Sequence, residues 1–128
     1  MSENQVLPSV EIELGGKTRR LVFDFNAQAA FEKVTGVSVF DNKAMRTSSR
    51  IVRALLWAEL LHFDEKVSFD EFGEILTPPE LGLNAVGSLI TNANLREVNR
   101  KVFEAYGLFF KVATKEEKGE EPKNPSSR

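Results

Sequence analysis

The sequence predicts an α+β domain, mostly α-helical, with an N-terminal β-hairpin packed on a helical bundle. Three observations carry this expectation. Two short runs of alternating apolar and polar residues flank Gly15-Gly16, as two strands joined by a tight turn would. From residue 27 onward the apolar residues recur mainly at three- and four-residue spacing, the period of helices with a buried face. The chain has 128 residues, is 41% hydrophobic and lacks cysteine, so it is long enough to bury a core without disulfides.

The hairpin is expected over residues 9–25. Val10, Ile12 and Leu14 alternate with Glu11 and Glu13 before the glycine pair, and Leu21, Phe23 and Phe25 share one face after it. Glycine supplies the positive φ that such a turn requires. Asn26 then reads as a helix N-cap. Ala27, Ala30, Phe31 and Val34 form the stripe of a helix over 27–35, which Gly36 stops. Residues 37–45 are a connector with Asp41-Asn42 turn chemistry. The strongest helix covers 47–62, capped by Ser48 or Ser49. One stripe on it holds Ile51, Ala54, Leu55, Ala58 and Leu61; a second holds Val52, Leu56, Leu60 and Phe63. A helix apolar on two sides is central, packed from both directions. Its charges, Arg50, Arg53 and Glu59, must leave through narrow windows.

Ser68 with Glu71 resembles a capping box, so a helix is expected over 68–76 with Phe69, Phe72 and Ile75 or Leu76 inward. Thr77-Pro78-Pro79 separates it from the next element. Residues 81–112 read as one bent helix or, preferably, two, over about 79–91 and 94–111. Val86, Leu89, Ile90 and Ala93 share one face; Leu95, Val98, Val102, Ala105, Tyr106 and Phe109 share another. Asn94 and Glu97 form a capping pair at the change. Residues 1–8 are a flexible start, 9–113 a single globular domain, and 114–128 a charged, disordered tail without docking residues.

Composition removes several function classes. With no cysteine there is no thiolate nucleophile, iron–sulfur cluster or cysteine-based zinc site. A net charge of -2 supplies no global field toward nucleic acid or anionic membranes. The densest apolar stretch, 51–63, is broken by Arg53 and Glu59 and falls short of a bilayer span. No signal peptide is visible, so a cytoplasmic protein is expected. His62 is the sole histidine; with Glu59 or Asp64 nearby it could serve a small hydrolase, but alone it makes neither a triad nor a metal set. The acids Asp64, Glu65, Asp70, Glu71 and Glu74 lack the spacing of a calcium loop. Gly15-Gly16-Lys17-Thr18 lacks the upstream glycine of a phosphate loop. Lys17, Arg19 and Arg20 fit a solvated strand edge. Neither enzymatic activity nor any metal or cofactor is expected.

The unusual feature is ten Phe against one Tyr and one Trp. Phe has no polar group to satisfy, so each ring seeks burial in the core or against a partner. Phe103 and Phe110, seven residues apart, lie on the flank of the last helix's stripe. They are core if the stripe is wide and a partner surface if it is narrow. With Tyr106 and Trp57, the latter at a stripe edge near Arg53, they are the candidate partner-binding residues.

Four phrases in order resemble the tail assembly chaperones of long-tailed bacteriophages and related gene transfer agents. They are Gly15-Gly16-Lys17; Leu21-Val22-Phe23-Asp24-Phe25-Asn26-Ala27; Phe31-Glu32-Lys33-Val34-Thr35-Gly36; and Arg53-Ala54-Leu55-Leu56-Trp57-Ala58-Glu59-Leu60. The similarity covers roughly residues 10 to 76. It implies a protein of the host cytoplasm that coats the helical tape measure protein, keeps it soluble and hands it to the growing tail tube. It also implies self-association, and a longer form, made by ribosomal frameshifting, that recruits the tail tube protein. A structural tail or head-completion protein retained in the virion is the alternative.

Overall fold

The computed structural model describes residues 8–41, 43, 45 and 48–119, the side chains of 110–119 excepted. Strands β1 (Val10–Leu14) and β2 (Lys17–Leu21) form an antiparallel hairpin pairing Val10 with Leu21 and Leu14 with Lys17. Gly15 and Gly16 take φ of 60° and 79°, the left-handed pair that matches the twist of two-residue hairpin turns. A Cβ on Gly15 would come within 2.9 Å of Leu89, so the turn lies directly against the helical body. Val10, Ile12, Leu14 and Leu21 are buried, and the predicted hairpin on a helical body is observed.

The second strand ends earlier than expected, at Leu21. Val22 N–H donates to the Glu59 carbonyl at 3.0 Å, which clips the chain to the central helix. Asp24, rather than Asn26, caps α1 (Phe25–Thr35), its Oδ1 accepting from Ala27 N–H at 2.8 Å. Phe25 therefore opens a helix on its outer side instead of closing a strand on its inner one. Ala27 and Phe31 are buried as the stripe requires, while Val34 is exposed and Gln28 is buried in its stead. Gly36 ends α1 at φ 72° with its N–H on the Glu32 carbonyl. In the connector, Val39 and Met45 reach the core; Asn42 is outside the described residues.

The central helix α2 (Ser49–Leu60) is capped by Ser48, whose Oγ accepts from Ile51 N–H, and continues as a 3₁₀ turn over Leu61–Phe63. Every residue from Ile51 to Glu59 except Arg53 is buried. Both predicted stripes are present, although Phe63 at the end of the second is exposed.

The helix expected over 68–76 is instead a small hairpin of β3 (Ser68–Phe69) and β4 (Ile75–Thr77), with a register irregularity at Ser68/Phe69. Asp70 decides it. Its Oδ1 accepts from Phe72 N–H and Glu74 N–H, its own N–H donates to the Glu74 carbonyl, and Gly73 adopts φ 84°. That turn uses backbone donors a helix would need, and Gly73 is the residue that tolerates its positive φ.

Two helices follow rather than one. The first, α3 (Leu83–Ser88), is shorter than the expected 79–91. Gly82 gives it no capping side chain, and Gly87 weakens its interior. Asn94 organises the break: its Oδ1 accepts from Thr91 N–H and its Nδ2 donates to the Leu89 carbonyl. The last helix, α4 (Leu95–Gly119), runs past the expected end at 111 and into the segment read as tail. The Lys and Glu residues of 115–118 favour helix, so local propensity carries it beyond the apolar stripe. The expectations for the start of the chain and for the end of the tail fall on residues 1–7 and 120–128, which lie outside the described residues. Val98, Val102 and Ala105 bury the inner face of α4, which rests on β1 and α2. Among the described residues, no helix is long and apolar enough to cross a membrane.

Candidate functional site

The four residues singled out for partner binding have different surroundings. Trp57 is a core residue, 5% exposed, and its indole nitrogen has no acceptor among the described residues. The stripe edge near Arg53 is thus inside the core at Trp57, although Arg53 itself is exposed. Tyr106 is half-buried. Its ring centroid lies 5.5 Å from that of Phe23 and 6.0 Å from that of Phe103, and its hydroxyl donates to the Val39 carbonyl at 2.9 Å. It thereby ties the connector after α1 to α4, and burial raises its hydroxyl pKa. Phe103 is half-buried at the margin of the core, edge-on to Tyr106. The Phe110 side chain falls outside the description.

Sequence reasoning missed the apolar surface that is most exposed. Phe72 is 80%, Phe25 70%, Phe40 66% and Leu76 65% exposed. Phe72 and Leu76 belong to the β3–β4 hairpin, where Phe69 and Ile75 are also exposed. All strand residues of this hairpin are exposed, and an isolated two-stranded ribbon is marginal in water. It is held at its turn by an ion pair from Lys33 to Glu74 and at its base by Asp64. Oδ1 of Asp64 accepts from Lys66 and Val67 N–H, and Oδ2 accepts from Glu80 N–H. The available signal was the Asp70-to-Gly73 turn chemistry between short apolar pairs.

His62 pairs with a residue the sequence did not suggest. Its Nδ1 lies 3.0 Å from Asp24 Oδ2, and the other oxygen of the same carboxylate caps α1. The ring stands edge-on to Phe63 at 4.7 Å, and the Arg20 guanidinium lies 4.8 Å from the Phe63 centroid. A cavity of about 180 Å³ opens beside His62, lined also by Asp24, Asp64, Val67 and Phe69. The Asp24–His62 pair joins the start of α1 to the end of α2. Among the described residues, no serine, threonine or tyrosine lines this cavity. Among the described residues, no group of three or more potential metal ligands is gathered.

Two features of α2 were not anticipated. Glu59, expected to reach solvent through a window, is fully buried, and neither carboxylate oxygen has a hydrogen-bond partner among the described residues. Desolvation raises its pKa well above the ordinary carboxylate value. Near the other end of α2, a groove of about 1110 Å³ lies between α2, α3 and the start of α4. Arg50, Arg53 and Arg96 line it, together with serine and asparagine side chains and the apolar Val52, Ile90 and Leu95.

No family model, curated protein or solved structure matches the chain.

Proposed function

We propose that this chain is a non-catalytic binding module, a phage tail assembly chaperone that holds the tape measure protein soluble in the host cytoplasm and supports tail tube polymerisation. The observation that carries the reading is the ordered set of phrases between residues 10 and 76. Those phrases occupy distinct structural places. The glycine pair makes the hairpin turn, Asp24 joins strand to helix, Gly36 ends α1, and the Arg53 to Leu60 run forms the centre of α2.

Exposed apolar side chains suit the same role. A chaperone of helical clients needs apolar surface tolerant of related sequences rather than fixed polar chemistry. Phe25, Phe40, Phe72 and Leu76 offer such surface. The flank of α4 with Phe103, and position 110 seven residues on, is a further client or self-association surface. The tail tube protein joins through a longer, frameshifted form.

Mass spectrometry across an infection tests the assignment. The chaperone reading predicts a protein abundant in lysates during tail assembly and missing from purified particles. Stoichiometric incorporation into particles would overturn it in favour of a structural tail or head-completion protein.

A further inference from the structure

The groove between α2, α3 and α4 has a chemistry that its place in the fold does not require. Among the described residues three arginines line it and no aspartate or glutamate does, although the chain as a whole is acidic. Arg53 and Arg96 have no ion-pair partner among the described residues. Arg50 makes one long contact, 3.4 Å from Nη1 to the Thr35 carbonyl, which leaves most of its donors unused. All three are exposed. On the exposed face of α4, by contrast, Arg100 pairs with Glu104 and Lys101 with Glu97.

The backbone beside the groove makes room for one of these arginines. A Cβ at Gly87 of α3 would stand 3.0 Å from Arg53 Cδ and 3.7 Å from its Cγ. The missing side chain lets the Arg53 stem lie against the helix. The partly buried Ile90 and the half-exposed Leu95 add apolar surface to the lining.

We propose that this groove is a docking site for an acidic segment of a partner polypeptide. Charge complementarity selects the class of occupant: three fork-shaped donors match carboxylates, which arginine binds in bidentate fashion. The apolar surface selects a chain with hydrophobic residues between its acids over a small anion. A volume of about 1110 Å³ leaves room for a short peptide segment. Single-stranded nucleic acid is disfavoured because, among the described residues, no aromatic side chain lines the groove, and stacking platforms carry much of that recognition. The inference is independent of the chaperone reading, since it rests only on this groove.

The test uses the full chain and a labelled synthetic peptide helix with glutamates along one side and leucines beside them. A twin peptide carries glutamine for glutamate, and a single-stranded oligonucleotide and inorganic phosphate serve as competitors. The glutamate peptide should saturate the protein below about 1 mM, with the twin and the Arg53→Gln/Arg96→Gln variant each weakening binding about tenfold or more. Both arginines are exposed, so the variant should keep its circular dichroism and melting curve. Gly87→Ala, which displaces Arg53 without changing charge, should weaken binding as well, whereas Arg100→Gln, outside the groove, should not. Absence of saturation, equal binding of the twin, or indifference to the Arg53/Arg96 substitutions overturns the proposal. So does displacement of the peptide by equimolar phosphate or oligonucleotide, either of which would reassign the groove to that anion.

Discussion

Replacing Glu59 by Gln tests the consequence of a buried carboxyl group with no partner among the described residues. The side chain keeps its shape and loses its titration. In the folded protein the carboxyl is desolvated and its pKa lies well above the ordinary value; in the unfolded chain it lies near about 4.3. The native state therefore binds the proton more tightly than the unfolded state. Stability is unaffected by ionisation at pH values well below the unfolded pKa and is lost as pH rises through the window up to the native pKa. Within that window one proton separates the two states, so the group lowers stability by about 1.4 kcal/mol per pH unit. Glutamine abolishes this slope. It still buries an amide, which adds a constant offset between the two proteins. The slope difference, rather than the offset, isolates the titration. Urea unfolding of both proteins at intervals from acidic to neutral pH measures it. The free-energy gap should move steadily in favour of Glu59→Gln as pH rises from about 4.5. Parallel curves would refute the reasoning and mean that Glu59 is ionised in the folded state against a compensating group.

Other substitutions probe the frame around that site. Leu55 is fully buried at the centre of α2, so Leu55→Ala should cost about 2–5 kcal/mol in denaturant unfolding; a cost below about 1 kcal/mol would contradict the central position of α2. Asp24→Ala removes the α1 cap and the His62 partner together and should cost about 0.5–2 kcal/mol, read as a lowered melting temperature. Phe72→Ser with Leu76→Ser alters only exposed rings and chains; stability should stay within about 0.5 kcal/mol per site while self-association, followed by light scattering, diminishes. A large loss of stability would show instead that the β3–β4 hairpin is packed.

Where the fold was legible, local chemistry and tertiary packing agreed. Gly15-Gly16 between alternating runs can do little else than turn, and α2 is so apolar that only a central position buries it. Gly36 stopped α1 for the reason its position suggested, and Asn94 marked the break before α4. The errors come from competition between local signals. Ser68 and Glu71 matched a capping box, but the Asp70 carboxylate and the positive φ at Gly73 form a turn whose backbone donors are no longer free for a helix. Phe25 fitted a strand pattern until Asp24 ended the strand by capping a helix.

The partner-binding candidates were less legible because a lone sequence does not say what covers a helix edge. Trp57 falls at the margin of a stripe by periodicity, yet it is buried in the core. Glu59 looked like a charge that had to reach solvent; packing around α2 closes the window. The arginine groove assembles α2 with the start of α4 across some forty residues of chain, a juxtaposition with no local signature. Phe40 and Phe72, among the most exposed rings, were hidden in a connector and in a segment assigned to a helix.

Under the proposed function the chain binds and solubilises a long helical client. Co-expression with a tape measure protein, followed by fractionation and affinity pull-down, is the decisive measurement. The client should be insoluble alone, become soluble with this chain, and elute with it. A client that stays insoluble, or is soluble but elutes separately, would contradict it.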